Sequence, residues 1–287
     1  NSLKKQGCPV NFSCKGRHLM VEFQRKDFYS YEDFLEIMRL LRAPGGCPWD
    51  REQTHSSIRR NFLEETYEVL DAIDHDDASG MCEELGDVLM QVAFHAQIEA
   101  ERGRFTMANV VDGVARKLVY RHPHVFGDVQ ADTSQQVLAN WDVLKRREKG
   151  QRSTADAVEA VPHTLPALWR AEKIQSKTAK AGFDWTSSLQ ALDKLEEEVR
   201  ELRAALEAGQ AADAPHGIRE ELGDTLFMAA KIAQMSGVDP EDALHRACDK
   251  FDRRFRAVEE AADKPLPECG EAELLALWND AKSHEPS

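Results

Sequence analysis

Apolar residues recur at helical spacing along most of this chain, and they alternate almost nowhere. Phe34, Ile37, Met38 and Leu41 fall at i, i+3, i+4 and i+7, which predicts an amphipathic helix over 31–42. The stretch APGGCPWD (43–50) breaks it with Pro and Gly. A second helix is expected from Ser56 or Ser57, with Leu63, Tyr67, Leu70 and Ile73 as its apolar stripe. DHDDASG (74–80) reads as a turn, and Leu85, Val88, Leu89, Val92 and Ala96 mark a third helix from about 81 to 100. Helices follow near 107–120 and 137–147, with 122–128 irregular between them. Further helices are expected over 167–181, 189–208, 218–236, 240–261 and 271–283. No segment has the alternation of a strand, so the expected class is all-α.

The second half restates the first. Glu64, Glu65 and Glu68 align with Glu197, Glu198 and Glu201, and Glu84 and Asp87 with Glu221 and Asp224. Lys117 and Arg121 align with Lys250 and Arg254, and Trp141 and Lys145 with Trp278 and Lys282. AGFDW (181–185) plays the part of the earlier GCPWD, and only loop lengths differ between the halves. Two copies at this period mean a duplicated domain rather than a solenoid. The expected organisation is a first repeat over 31–147, a polar linker over 148–166 and a second repeat over 167–287. Residues 1–30 have no periodicity and are expected to be a disordered or artefactual tail, with Met20 a candidate natural start.

Composition narrows the function. The net charge of −14 argues against binding a nucleic-acid polymer, which needs a basic footprint. No apolar run approaches the roughly 20 residues that span a bilayer. Cys8, Cys14, Cys47, Cys82, Cys248 and Cys269 are scattered without a CxxC pair. Neither a disulfide framework nor a zinc site is expected, and a reducing cytoplasm is.

The repeated carboxylates carry the candidate chemistry. On an α-helix, Glu65 and Glu68 share a face, as do Glu84 and Asp87 on the next helix. If the two helices pack antiparallel, four carboxylates converge. They cannot all stay ionised side by side without a cation. An all-oxygen donor set selects Mg²⁺, with Mn²⁺ a substitute, and Mg²⁺ commonly completes its shell with substrate phosphates. Lys and Arg nearby would meet phosphate oxygens beyond the metal. Gly86 and Gly223, inside helices, cost stability relative to Ala and are expected to permit close backbone approach. Trp49 and Trp185 are core candidates, His95 is expected to be packed or at the surface, and His122 and His124 suit a loop better than a metal pair.

At these residues the chain resembles the MazG family of nucleoside triphosphate pyrophosphohydrolases. GCPWDREQTHSSI, LEETYEVLDAI, EELGDV, RHPHVF, KIQSKTAKAGFDW and KFDRRFR are similar to its signatures, and EExxE followed by ExxD appears twice. The resemblance covers about 31–282. It implies a tandem of two four-helix-type domains, a homodimer, and Mg²⁺-dependent cleavage of nucleoside triphosphates between the α and β phosphates. It implies metal ligation by Glu65, Glu68, Glu84 and Asp87 in one copy and by Glu198, Glu201, Glu221 and Asp224 in the other. Lys250, Arg254, Trp278 and Lys282 match nucleotide-contacting positions, with Lys117, Arg121, Trp141 and Lys145 as counterparts. Glu197 and Glu64 remain to orient or deprotonate the attacking water. The second copy is the expected seat of catalysis.

Two other classes fit parts of the pattern. A di-metal oxidase bundle would use ExxH, and Asp87 and Asp224 stand where its histidines belong. A non-catalytic helical dimer would use the acidic faces only to bind a partner.

Overall fold

A computed structural model describes residue 21 and residues 23–284. Every regular element among them is helical. Two units divide the chain between Trp141 and Asp142.

In the first unit, α1 (Tyr31–Arg42) starts at a capping box in which Ser30 and Asp33 each hold the other's backbone N–H. Gly45, at φ 90°, turns the chain after it. A Cβ on Gly46 would sit 2.2 Å from the Leu40 carbonyl oxygen, so only Gly fits there. α2 (Pro48–Glu52) follows. Its Pro at the first position is pre-set for a helix, which turns a sequence-level breaker into a helix start. α3 (Arg59–Asp74) and α4 (Ala78–Glu101) form the main hairpin. α4 begins three residues before its apolar pattern does, because the Asp77 carboxylate accepts from the Ser79 and Gly80 N–H groups at 3.0 Å. α5 (Met107–Arg121) packs on α4, and α6 (Pro123–Phe126) makes a single turn where irregular chain was expected. Met38, Ile58, Ala93, Phe94 and Ile98 form the core.

α7 (Ser134–Glu148) runs across the division between the units. The segment expected to be a linker instead contains α8 (Thr154–Glu159) and packs on α9 (Ala167–Ala179). Ser153 and Asp156 form another capping box, and Ala157 and Val161 are buried. Polarity and two prolines concealed a helix that a cap and two apolar anchors suffice to dock. α10 (Ser188–Glu207) and α11 (Ile218–Met235) repeat the hairpin, and α12 (Pro240–Ala261) and α13 (Glu271–Ser283) complete the second unit. The expected tail lies largely outside the described residues.

Some packing expectations fail. Trp49 is 60% exposed, because α2 buries none of its residues. Leu63, Tyr67, Leu70 and Ile73 are all exposed, since α3 packs chiefly on α4 and buries Ala72 alone. Trp185 is half-buried, with the Lys231 ammonium 5.8 Å from its ring centroid. Lys231, only 1% exposed, lies 2.5 Å from Asp184 and 2.7 Å from Gln234.

Candidate metal centre

Each hairpin gathers its carboxylates. In the second unit, Glu198, Glu201 and Glu221 each place one oxygen within 4.8 Å of the others. In the first, Glu65, Glu84 and Asp87 do the same. Asp224 and Glu68 complete the sets electrostatically. Burial, then Glu198, then Glu220, push the Asp224 carboxyl above its ordinary range. Glu201 is raised by burial and by its hydrogen bond to Glu198. Glu84 is raised by burial and by the charge of Glu68, to which it is hydrogen bonded. Glu65 is raised by burial and by Asp87 and Glu68, against a hydrogen bond from Gln91. All these shifts favour protonation, as expected of carboxylates sharing a confined site with too little positive charge.

The donor set fits a hard divalent cation. It is all carboxylate oxygen, it lacks sulfur and imidazole, and Glu198 and Glu221 are 7% and 5% exposed. In the first unit, Gln91 Oε1 is also buried without a partner. The second-unit cluster lines an open cavity of about 590 Å³ together with Lys194, His216 and Glu220, among others.

Lys194 was missed from sequence. Its Nζ lies 2.7 Å from Glu197 and 2.8 Å from Glu198, and those two hydrogen bonds, Glu197's the larger, hold its pKa well above the lysine range. The signal was present as a Lys three and four residues before two glutamates on one helix. Its counterpart in the first unit is Asn61, where Glu64 pairs instead with Arg60 at 2.7 Å. His216 was missed too. It sits in the left-handed region (φ 54°) with its Nδ1 3.6 Å from Glu221.

The aligned cations and tryptophans meet each other in both units. Arg121 lies 5.2 Å over the Trp141 ring, and Arg254 lies 5.8 Å over Trp278, which also packs on Phe251. Lys117 and Lys250 are exposed one turn earlier on α5 and α12. Lys250, Arg254, Trp278 and Lys282 do not line the 590 Å³ cavity. Lys145 lines a different, basic cavity. Gly86 and Gly223 do not serve close backbone approach: an added Cβ would meet nothing within 4 Å at either. Both lie one residue before an aspartate of the cluster, where the helix surface is open.

His95 is partly buried and stacked on His55 with ring centroids 5.0 Å apart. Their Nδ1 atoms are 2.6 Å apart, and His55 Nε2 lies 2.5 Å from Glu99. This cluster anchors the loop before α3 to α4.

A duplicated all-α hairpin with an oxygen-only carboxylate cradle fits a class that uses a hard divalent cation better than an imidazole-ligated oxidase. Comparison with known proteins resolves it further. A family profile described as "MazG nucleotide pyrophosphohydrolase domain" matches twice, at 53–126 and 186–258. The chain belongs to the MazG family. It is 46% identical to the nucleoside triphosphate pyrophosphohydrolase of Escherichia coli K12 over 255 residues, 88% of this chain and 96% of that one. It is 41% identical to the nucleoside triphosphate pyrophosphohydrolase/pyrophosphatase MazG of Thermotoga maritima over 88% of this chain and 95% of that one. A nucleoside triphosphate pyrophosphohydrolase of Mycobacterium tuberculosis is 44% identical over 53% of this chain and 45% of its own length.

Proposed function

We propose that this chain, a nucleoside triphosphate pyrophosphohydrolase of the MazG family, uses Mg²⁺ at the second-unit cradle to cleave NTPs and dNTPs between the α and β phosphates. The products are the nucleoside monophosphate and pyrophosphate. The observation that carries the reading is the convergence of Glu198, Glu201, Glu221 and Asp224 on α10 and α11, with Lys194 inside the same cavity.

Glu198, Glu201, Glu221 and Asp224 would hold Mg²⁺, or Mn²⁺ in its place. When bound, the ion neutralises triphosphate charge and polarises the phosphoryl oxygens. Glu197, next to this set and 51% exposed at its side chain, orients the attacking water and takes its proton. Lys194, which lines the same cavity beside Glu197 and Glu198, would meet a phosphate oxygen. Lys250, Arg254, Trp278 and Lys282 bind the rest of the nucleotide. The Arg254–Trp278 pair gives the base a flat, cation-backed surface.

Glu65, Glu68, Glu84 and Asp87 would hold a second ion, with Glu64 as the water-orienting carboxylate and Lys117, Arg121, Trp141 and Lys145 as the nucleotide-contacting set. The first copy has Asn61 where the second has Lys194, which supports the second as the main catalytic site.

The exposed apolar rows support a homodimer. Leu63, Leu70 and Ile73 on α3, and Leu192, Val199 and Leu206 on α10, are open in the single chain. A cytoplasmic setting is supported by the free thiols of Cys47, Cys82, Cys248 and Cys269, and no described helix is long and apolar enough to cross a membrane. In that compartment the activity would serve nucleotide-pool control.

The test is pyrophosphate release with Mg²⁺ across a panel of nucleotides, for the wild type and for each copy inactivated in turn. Full turnover with both clusters neutralised would sink the reading.

A further inference from the structure

Among the described residues, the acidic chain has a cavity of the opposite sign. In the second unit, an open cavity of about 290 Å³ lies between the end of α7, the segment 160–165 and α9. Lys145, Arg146 and Lys149 come from α7 and the residue after it, and Lys173, Lys177 and Lys180 from α9 and its C-cap. Asp142 is the one carboxylate among the lining residues, and it pairs with Lys180. Ala160, Val161, Pro162 and Leu165 supply an apolar side.

Cations at the end of a single helix are ordinary, because its dipole favours them. The helix dipole of α9 accounts for Lys177 and Lys180. The dipole of α7 likewise favours Lys145 and Arg146 in its last turn, but neither dipole explains why the two cationic helix ends meet in one concavity in a chain of net charge −14. Like charges this close raise one another's energy unless an anion joins them. Lys177, only partly exposed, is depressed below the lysine range by burial first and then by Arg146, with Lys149 and Lys180 adding to it against Asp142. The site shares no residue with the acidic cradle, and only Lys145 also belongs to the nucleotide-contacting set proposed for the first copy.

We propose that this cavity binds a small phosphate-rich anion through a diphosphate group, without a divalent ion. Lys173, Lys177 and Lys180 face the phosphates from one helix, and Arg146 and Lys149 from the other. The diphosphate has two sources, free pyrophosphate and the phosphate tail of a nucleotide. A nucleotide would rest its base against Val161, Pro162 and Leu165. A charged polymer is disfavoured, because the cations line a concavity rather than an extended track.

Calorimetric titration of the full chain in EDTA tests this, with pyrophosphate, ATP and AMP as ligands and single-stranded DNA as the control. One pyrophosphate or ATP per chain is expected to bind. Lys173→Ala/Lys177→Ala should weaken binding by about tenfold or more, since charge-assisted hydrogen bonds are lost. Lys177→Arg should retain it, and both variants should keep the wild-type circular dichroism and melting temperature. ATP binding more tightly than pyrophosphate identifies the nucleotide as the source, and equal affinities identify the diphosphate alone. The proposal is overturned if no ligand binds, if the lysine variants bind as the wild type does, or if DNA competes at equal phosphate concentration. EDTA keeps divalent ions from the acidic cradle, so failure here leaves the hydrolase reading standing, and loss of the hydrolase reading leaves this one.

Discussion

The ammonium of Lys194 lies 2.8 Å from a Glu198 oxygen and 2.7 Å from a Glu197 oxygen. The metal-free cradle is therefore partly neutralised by its own chain. On the proposed reading, Lys194 would compete with a divalent ion for Glu198 and would lie beside the substrate phosphates. Lys194→Ala is expected to lower kcat/KM by about 10–100-fold through loss of one charge-assisted contact. Mg²⁺ affinity should stay the same or tighten, because a competing cation is gone. Calorimetric Mg²⁺ titration beside a pyrophosphate-release assay measures both, and weakened metal binding would assign Lys194 to holding the cradle instead.

Glu198→Gln and Asp224→Asn should each reduce turnover by at least about a hundredfold, the scale of lost metal-centred charge stabilisation. Without a divalent ion Asp224→Asn should melt higher than the wild type, since it removes a charge crowded by Glu198 and Glu220, whereas Glu198→Gln should not, because it also removes a partner of Lys194. The matched Glu65→Gln and Asp87→Asn changes should leave most turnover intact. A larger loss from the first-unit pair would reassign the chemistry to that copy.

The carboxyls of Glu65, Glu84, Glu201 and Asp224 have folded pKa values above their ordinary ones. Groups shifted this way stabilise the fold fully below their unfolded pKa values, and that contribution is lost as pH rises through the raised ones. Repulsion in the cradles is thus greatest near neutrality, where Mg²⁺ has the most to neutralise. The rise in melting temperature on adding Mg²⁺ should be larger at pH 7.5 than at pH 5. An equal rise at both would mean the ion binds elsewhere.

Gly86→Ala and Gly223→Ala should each stabilise the metal-free chain by about 0.5–1 kcal/mol, because the new methyl meets nothing within 4 Å and helix propensity improves. Urea denaturation reports the stability. If Gly223→Ala is stabilised yet loses activity, the open strip beside Asp224 is where the substrate or a second copy comes in.

Asp184→Ala should destabilise the second unit by about 3 kcal/mol, because it leaves the Lys231 ammonium buried beside Gln234 and the Trp185 face alone. Lys231→Met should be close to neutral. Thermal melts of the two variants separate a buried charge that needs its partner from one that is merely accommodated.

The long helices and the duplication were legible in the sequence because period and repeat are local or self-referential signals. The carboxylate sets were legible for the same reason: their spacing on each helix is fixed, and only the antiparallel pairing had to be supplied. Three short helices escaped. Pro48 and Pro123 read as breakers although each begins a turn, and α8 is too brief for periodicity to register. Lys194 escaped because an i, i+4 Lys–Glu pair is ordinary on a helix surface until its partner proves to be a cradle carboxylate. The basic cavity escaped because its cations come from α7 and α9, which no linear spacing connects. Trp49 misled in the other direction, since residue type suggested burial and a one-turn helix at the surface denied it.

Asn61 and Lys194 occupy one position in two copies of the same hairpin, and the molecule thereby carries its own matched control. Among the differences between the two cradles is a single ammonium beside the second. Exchanging the two residues, in separate chains and then together, asks how much of the division of labour between sister domains one charge can move.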